Sequence, residues 1–325
     1  MNKYWKKIFK IVILTVIVLI LGFAIFLCFK KPSHDRDWEM GHEKLPSVEI
    51  SGDEVVIENF RDFIWNGEVS AQERYKTKKL KLSKLQKTEF IISHFSEFEG
   101  LAHVFLNFVF SDGEEIIMSM ETRRDGGEEF SPTLGLLRKF ETIYVLGSYE
   151  DIIGVRTDFR DERVYVYPTI FNQDDSQKLF LKIAKDINGI YAQPKFYNTL
   201  FNNCMNAISR PIESVSDFNF PFTYKIIMPG YIDEVLYEMG MIQNPSNKTF
   251  SEIKDQYLLK TEEKEKNIPD CEELKPTREQ IDEAVDEALI GLENPWGDSD
   301  EWGILIERIE IKLNCTLKTK DIIAK

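Results

Sequence analysis

The chain has 325 residues, 30% of them charged and 43% hydrophobic, which is enough apolar material for one large or two small cores and excludes disorder throughout. Six lysines in the first 31 residues carry +6 against a net charge of −14, so the remainder holds −20 and makes a poor nucleic-acid binder, since phosphate affinity comes from clustered Lys and Arg. Four scattered cysteines, with no Cys-x-x-Cys pair or Cys/His cluster, exclude a disulfide scaffold and offer no structural zinc site.

From Ile11 to Phe29 run 19 residues without a charge, about the length that crosses a hydrocarbon core roughly 30 Å thick. Lys3, Lys6, Lys7 and Lys10 outweigh Lys30 and Lys31 on the far flank. The positive-inside rule therefore puts the short end in the cytoplasm and the rest outside. A cleaved signal peptide would have a shorter apolar run ending in small-x-small, whereas Phe26-Leu27-Cys28-Phe29 is bulky. Residues 1–31 thus read as a cytoplasmic end and an uncleaved single-pass anchor, with a globular domain over 32–245 and an accessory segment over 246–325.

After a polar stretch from Ser33 to Trp38, β-branched and aromatic runs predict strands at Val55 to Phe60 and Ala102 to Phe110. Ser111-Asp112-Gly113 then turns the chain into Ile116 to Glu121, completing a hairpin. Further strands are expected at Ile143 to Leu146, Ile152 to Arg156 and Val164 to Tyr167. Beyond Asp174-Asp175-Ser176 the period becomes helical, with Leu179, Phe180, Ile183, Ala184 and Ile187 on one face. A second helix is predicted from Asn202-Asn203 to Ser209, before Pro211, and a third from Ile232 to Met239. Strands followed by helices favour an α+β fold.

Residues 246–325 hold 20 acidic and 12 basic side chains. The run Glu262-Glu263-Lys264-Glu265-Lys266 reads as a solvated helix face or linker. Ile281, Ala284, Ala288 and Leu289 suggest an amphipathic helix, and Trp302 to Leu313 a short strand or helix. Cys271 and Cys315 either pair in an oxidising compartment or stay free.

The residues that could carry chemistry lie between Asp35 and Gly240. Cys204 follows two asparagines at a predicted helix start, where free N–H groups and the helix dipole would lower its pKa and favour a nucleophilic thiolate. The plain alternative is a buried structural cysteine. Of His34, His42, His94 and His103, the first two precede the first clear strand. His103 points with Phe105 and Asn107 away from the face of Ala102, Val104, Leu106, Phe108 and Phe110. If Gly113 closes a three-residue loop, facing positions sum to 224 and Glu121 lies opposite His103, with Asn107 and Ser119 on the same face. A two-residue turn shifts the sum to 225 and moves Glu121 to the other face.

At these residues the sequence resembles the Lnb N-terminal periplasmic domain family. The motifs are Asp35-Arg36-Asp37-Trp38, Asn59-Phe60-Arg61-Asp62-Phe63, Ala102-His103-Val104-Phe105-Leu106-Asn107-Phe108, Glu121-Thr122-Arg123 and Tyr197-Asn198-Thr199-Leu200-Phe201-Asn202-Asn203-Cys204. The resemblance covers roughly residues 35–240 and implies a circularly permuted papain-like (NlpC-like) domain in which the histidine strand precedes the cysteine helix. It implies N-acylation of lipoproteins, with an acyl chain passing from a membrane lipid to a cysteine and then to a lipoprotein amine. By carry-over Cys204 is the nucleophile, His103 the general base and then acid, and Glu121 the orienting group. The oxyanion would be held by the Cys204 N–H and one of Asn203, Asn202 or Tyr197, with Asn107 in support. No metal or cofactor is called for. Two rivals stand beside acyl transfer: a cysteine peptidase or amidase using the same residues on water, and a non-catalytic extracytoplasmic binding module.

Overall fold

The lysine-flanked apolar residues form helix α1 (Lys3–Phe29). Its stretch Ile8–Leu27 has a mean hydropathy of 3.0 and none of it is buried against the rest of the protein. Twenty residues at about 1.5 Å each span roughly 30 Å, matching a hydrocarbon core, so α1 fits a membrane anchor. The computed structural model describes residues 3–259. The run Glu262 to Lys266, the helix expected around Ile281 to Leu289, the segment Trp302 to Leu313, Cys271 and Cys315 lie outside the described residues.

Among the described residues, ten strands follow the anchor: β1 (Ser47–Ser51), β2 (Glu54–Arg61), β3 (Ile64–Trp65), β4 (Ala71–Gln72), β5 (Tyr75–Lys81), β6 (Leu85–His94), β7 (His103–Phe110), β8 (Glu115–Arg123), β9 (Glu141–Gly147) and β10 (Arg163–Pro168). The main sheet has the order β1-β2-β9-β8-β7-β6-β10, with β5 also on β2, while β3 and β4 pair separately. Its ladders are antiparallel except for one parallel contact between Arg61 and Gly147. Gly113 takes φ +84°, which only glycine adopts freely. Phe105 pairs with Ser119 and Asn107 with Ile117, so the β7–β8 register sums to 224 and Glu121 shares the face of His103.

The helices are α2 (Pro132–Gly135), α3 (Val155–Asp158), α4 (Gln173–Ala192), α5 (Asn206–Val215), α6 (Tyr224–Ile227), α7 (Ile232–Glu238) and α8 (Phe250–Tyr257). The fold is thus mixed, a large sheet with its long globular helices after the last strand. Asn172 caps α4 by accepting from the Asp175 N–H, and Leu179, Phe180, Ile183 and Ile187 are buried. They share one core with Val104, Leu106, Phe108, Met118, Ile208 and Ile212. The other sheet face, Phe105, Ile117, Ile143 and Val145, packs with Ile152 and Ile153. Because both faces of β7 and β8 are covered, these strands read as apolar runs and not as clean alternation.

Three expectations are revised. Ile152 to Arg156 is not a strand: Glu150–Gly154 forms a π-helical turn leading into α3. The cause is Asp151, fully buried, whose carboxylate accepts from Arg61 Nε, the Phe63 N–H and Trp65 Nε1. Helix α5 begins at Asn206 and runs through Pro211. Pro211 offers no N–H to the helix, but Ile208, Pro211 and Ile212 are buried, and packing against α4 outweighs the missing bond. Beyond residue 245 the chain still packs on the sheet, with Ile253 of α8 buried and the Leu259 N–H donating to Val164 O.

Candidate active site

At the end of the sheet where β7 begins and β8 finishes, a cavity of about 340 Å³ opens, lined by His103, Glu121, Tyr197, Asn203 and Cys204. Phe95, Leu101, Met120, Phe130 and Ile227 make its walls mainly apolar, and Arg124, Arg156 and Arg160 also reach it. One wall depends on a close approach: Gly230 donates to Gly100 O, and a Cβ at 230 would lie 1.7 Å from Glu99 O. Only glycine fits there.

His103 opens β7 and is half-buried; its Nε2 lies 2.7 Å from Ser119 Oγ, which donates to Glu121 Oε1 at 2.8 Å. With the Ser119 proton given to the carboxylate, Ser119 Oγ accepts from Nε2–H. That tautomer leaves Nδ1 as the basic nitrogen. Glu121 is therefore linked to the imidazole through Ser119. Its second oxygen lies 3.4 Å from His42 Nε2, and His42 Nδ1 accepts from the Arg124 N–H. Burial disfavours the Glu121 charge, but the hydrogen bond from His42 and the charges of His103 and Arg61 hold its pKa well below the usual carboxylate range. Burial, with Arg156, brings His103 down to about 4 against the opposing pull of Glu121.

Asn203 initiates the cysteine turn. Its Oδ1 accepts from the Asn206 N–H and its Nδ2 donates to Thr199 O, which places Cys204 in the first turn leading into α5. The expectation of a thiolate fails here. Burial pushes the Cys204 thiol up to about 11, despite hydrogen bonds from the N–H groups of Val104, Met205 and Cys204 itself, and the Glu121 charge adds to the rise. Helix-start polarity was outweighed by desolvation. At neutral pH the site therefore holds a neutral thiol, a neutral imidazole and an ionised carboxylate.

Cys204 packs in the core of the helix-covered sheet face, while His103 stands with Ser119 and Glu121 on the other. Both line the cavity, with no hydrogen bond between them among the described residues. Tyr197 lines the cavity beside them and is buried; burial and the Cys204 charge raise its phenol, which stays a proton donor. Asn202 spends its amide on Thr142 Oγ1 and Phe196 O. Asn107 donates to Glu89 and Glu115 further along β7, away from the cavity. Sequence reasoning missed the Ser119 bridge, His42 and the three arginines.

Alkylation of Cys204 by iodoacetamide, followed by mass spectrometry of its peptide, is expected to be slow at pH 7 and to climb toward pH about 11. Only about 10⁻⁴ of such a thiol is thiolate at pH 7. A rate that levels off below pH 8 would contradict this assignment.

Residues 71–230 match the model of the family described as Lnb N-terminal periplasmic domain. No curated protein and no solved structure matches the chain.

Proposed function

From the match of residues 71–230 to the family described as Lnb N-terminal periplasmic domain, we propose that this protein is a membrane-anchored, extracytoplasmic thiol enzyme that forms an acyl-cysteine intermediate. The observation that carries the reading is that Cys204, His103 and Glu121, far apart in sequence, line one largely apolar cavity. In this reading α1 spans the membrane with Lys3, Lys6, Lys7 and Lys10 on the cytoplasmic side. The order of histidine strand before cysteine helix corresponds to a circularly permuted papain-like domain.

Cys204 Sγ attacks the ester carbonyl of a membrane lipid while His103 Nδ1 takes the thiol proton. Because both groups are neutral at rest, proton transfer accompanies attack and no ion pair precedes it. The oxyanion is held by the Cys204 N–H and the Tyr197 hydroxyl. When the tetrahedral adduct collapses, the C–O bond breaks and the lysolipid oxygen takes the proton back from His103, leaving a thioester on Cys204. A lipoprotein amine then attacks the thioester, giving up a proton as the thiol re-forms. Water in place of the amine gives the hydrolase. The apolar walls suit an acyl chain and the guanidinium groups of Arg124, Arg156 and Arg160 an anionic head.

A non-catalytic binding module is the second reading, favoured by the elevated thiol pKa and by the missing Cys204–His103 hydrogen bond. Intact-protein mass spectrometry separates the two. After incubation with phospholipid vesicles, the wild-type chain is expected to carry a hydroxylamine-labile acyl adduct that Cys204→Ala lacks. An adduct unaffected by Cys204→Ala, or none on a chain whose cavity binds lipid, selects the binding module.

A further inference from the structure

We propose that the lip of the cavity is a second membrane-contacting surface, seated on the outer leaflet beside the anchor. Three apolar side chains that line the cavity, Phe95, Phe130 and Ile227, are also exposed. Phe201 is exposed in the turn between Thr199 and Asn203, both lining residues, and Leu134 and Leu136 are exposed just beyond lining Pro132. A lip built from separate loops that all turn apolar groups outward is atypical of a water-facing rim.

The occupant is identified by where the lip sits. Arg138 donates to Leu27 O at 2.9 Å, and Lys30 Nζ reaches Arg138 O at 3.5 Å, so the end of α1 is tied to the segment that carries the lip. From Phe130 to Arg138 the chain advances at most about 28 Å even if fully extended, and α2 shortens it. The outer end of the apolar helix marks the boundary of the hydrocarbon, with a polar headgroup layer several Å thick beyond it. Leu and Phe side chains at this distance insert to about 5–10 Å at the headgroup–acyl boundary, as in interfacial segments. Lipid then reaches the cavity from within the leaflet without crossing water.

This inference rests on the anchor reading of α1 and not on thiol chemistry, and its test uses a readout independent of catalysis. The full chain is reconstituted in phosphatidylcholine–phosphatidylglycerol vesicles containing a phospholipid with a photoactivatable diazirine on its acyl chain, irradiated, and mapped by peptide mass spectrometry. Adducts are expected in α1 and also within 130–136 and 199–203. The triple variant Leu134→Ser, Leu136→Ser, Phe201→Ser, altered only at exposed positions, is expected to lose lip adducts by at least about tenfold while keeping those in α1. Adducts confined to α1, or lip residues joined to a second copy of the chain instead of lipid, would overturn the proposal.

Discussion

Replacing Asp151 with alanine is expected to destabilise the domain by about 3–5 kcal/mol, the range for removing one partner of a buried ion pair. Asp151 has no exposed surface, and one oxygen accepts from Arg61 Nε at 2.9 Å and from the Phe63 N–H at 3.0 Å. The other accepts from Trp65 Nε1 at 2.9 Å. Without the carboxylate a nearly buried guanidinium and two N–H donors lose their partner together, and water has little access to replace it. Asp151→Asn keeps the shape but not the charge and is expected to fall between alanine and wild type. Chemical denaturation of the detergent-solubilised chain, followed by near-ultraviolet circular dichroism, checks this. An alanine variant within about 1 kcal/mol of wild type would show that the pair is dispensable. The site would feel the loss, because Asp151 fixes the turn that leads into α3 and cavity-lining Arg156.

The same carboxylate shows where the sequence was legible. Ile152, Ile153 and Val155 have the composition of a strand, and only the distant partners Arg61, Phe63 and Trp65 reveal a turn that aims Asp151 at them. Local signals served well where the structure is local. The Gly113 turn, the hairpin, the capped α4 and the apolar α1 all appear where residue pattern places them. Strands β5 and β6 escaped notice. Tyr75–Lys81 carries four lysines on a strand that, among the described residues, pairs only with β2, and Leu85–His94 lacks clean alternation because its second half is covered on both sides. In the site, residue type and order singled out His103, Glu121 and Cys204, but sharing a strand face did not put Asn107 near them. His42 meets Glu121 across 79 positions of sequence, a contact no local pattern encodes. The thiol pKa was misjudged in sign because helix-start polarity is visible in sequence and burial is not.

Glu121→Gln is expected to move two rates at Cys204 in opposite directions. The Glu121 charge raises the Cys204 pKa, so neutralising it lowers the pKa from about 11 and makes alkylation at neutral pH severalfold faster. The same charge, acting through Ser119, fixes the His103 tautomer and favours the imidazolium formed during attack. Its loss is expected to slow lipid-dependent acylation on the order of 10², approaching the 10²–10⁴-fold loss expected for His103→Ala. The pH profile adds a further sign. His103 acts as a base only when neutral, so wild-type acylation is retained above about pH 4 and falls as pH drops through it. Because Glu121 pulls that value upward, the glutamine variant moves the acid limb to lower pH. Ser119→Ala interrupts the link but keeps the charge, so it is expected to slow acylation without accelerating alkylation. A structural disturbance would also expose the buried thiol and speed its alkylation, so the glutamine variant is compared at an unfolding midpoint equal to that of wild type. If acylation by Glu121→Gln equals that of wild type, or if its slowing comes with a lowered unfolding midpoint, then the orienting role assigned to Glu121 is wrong.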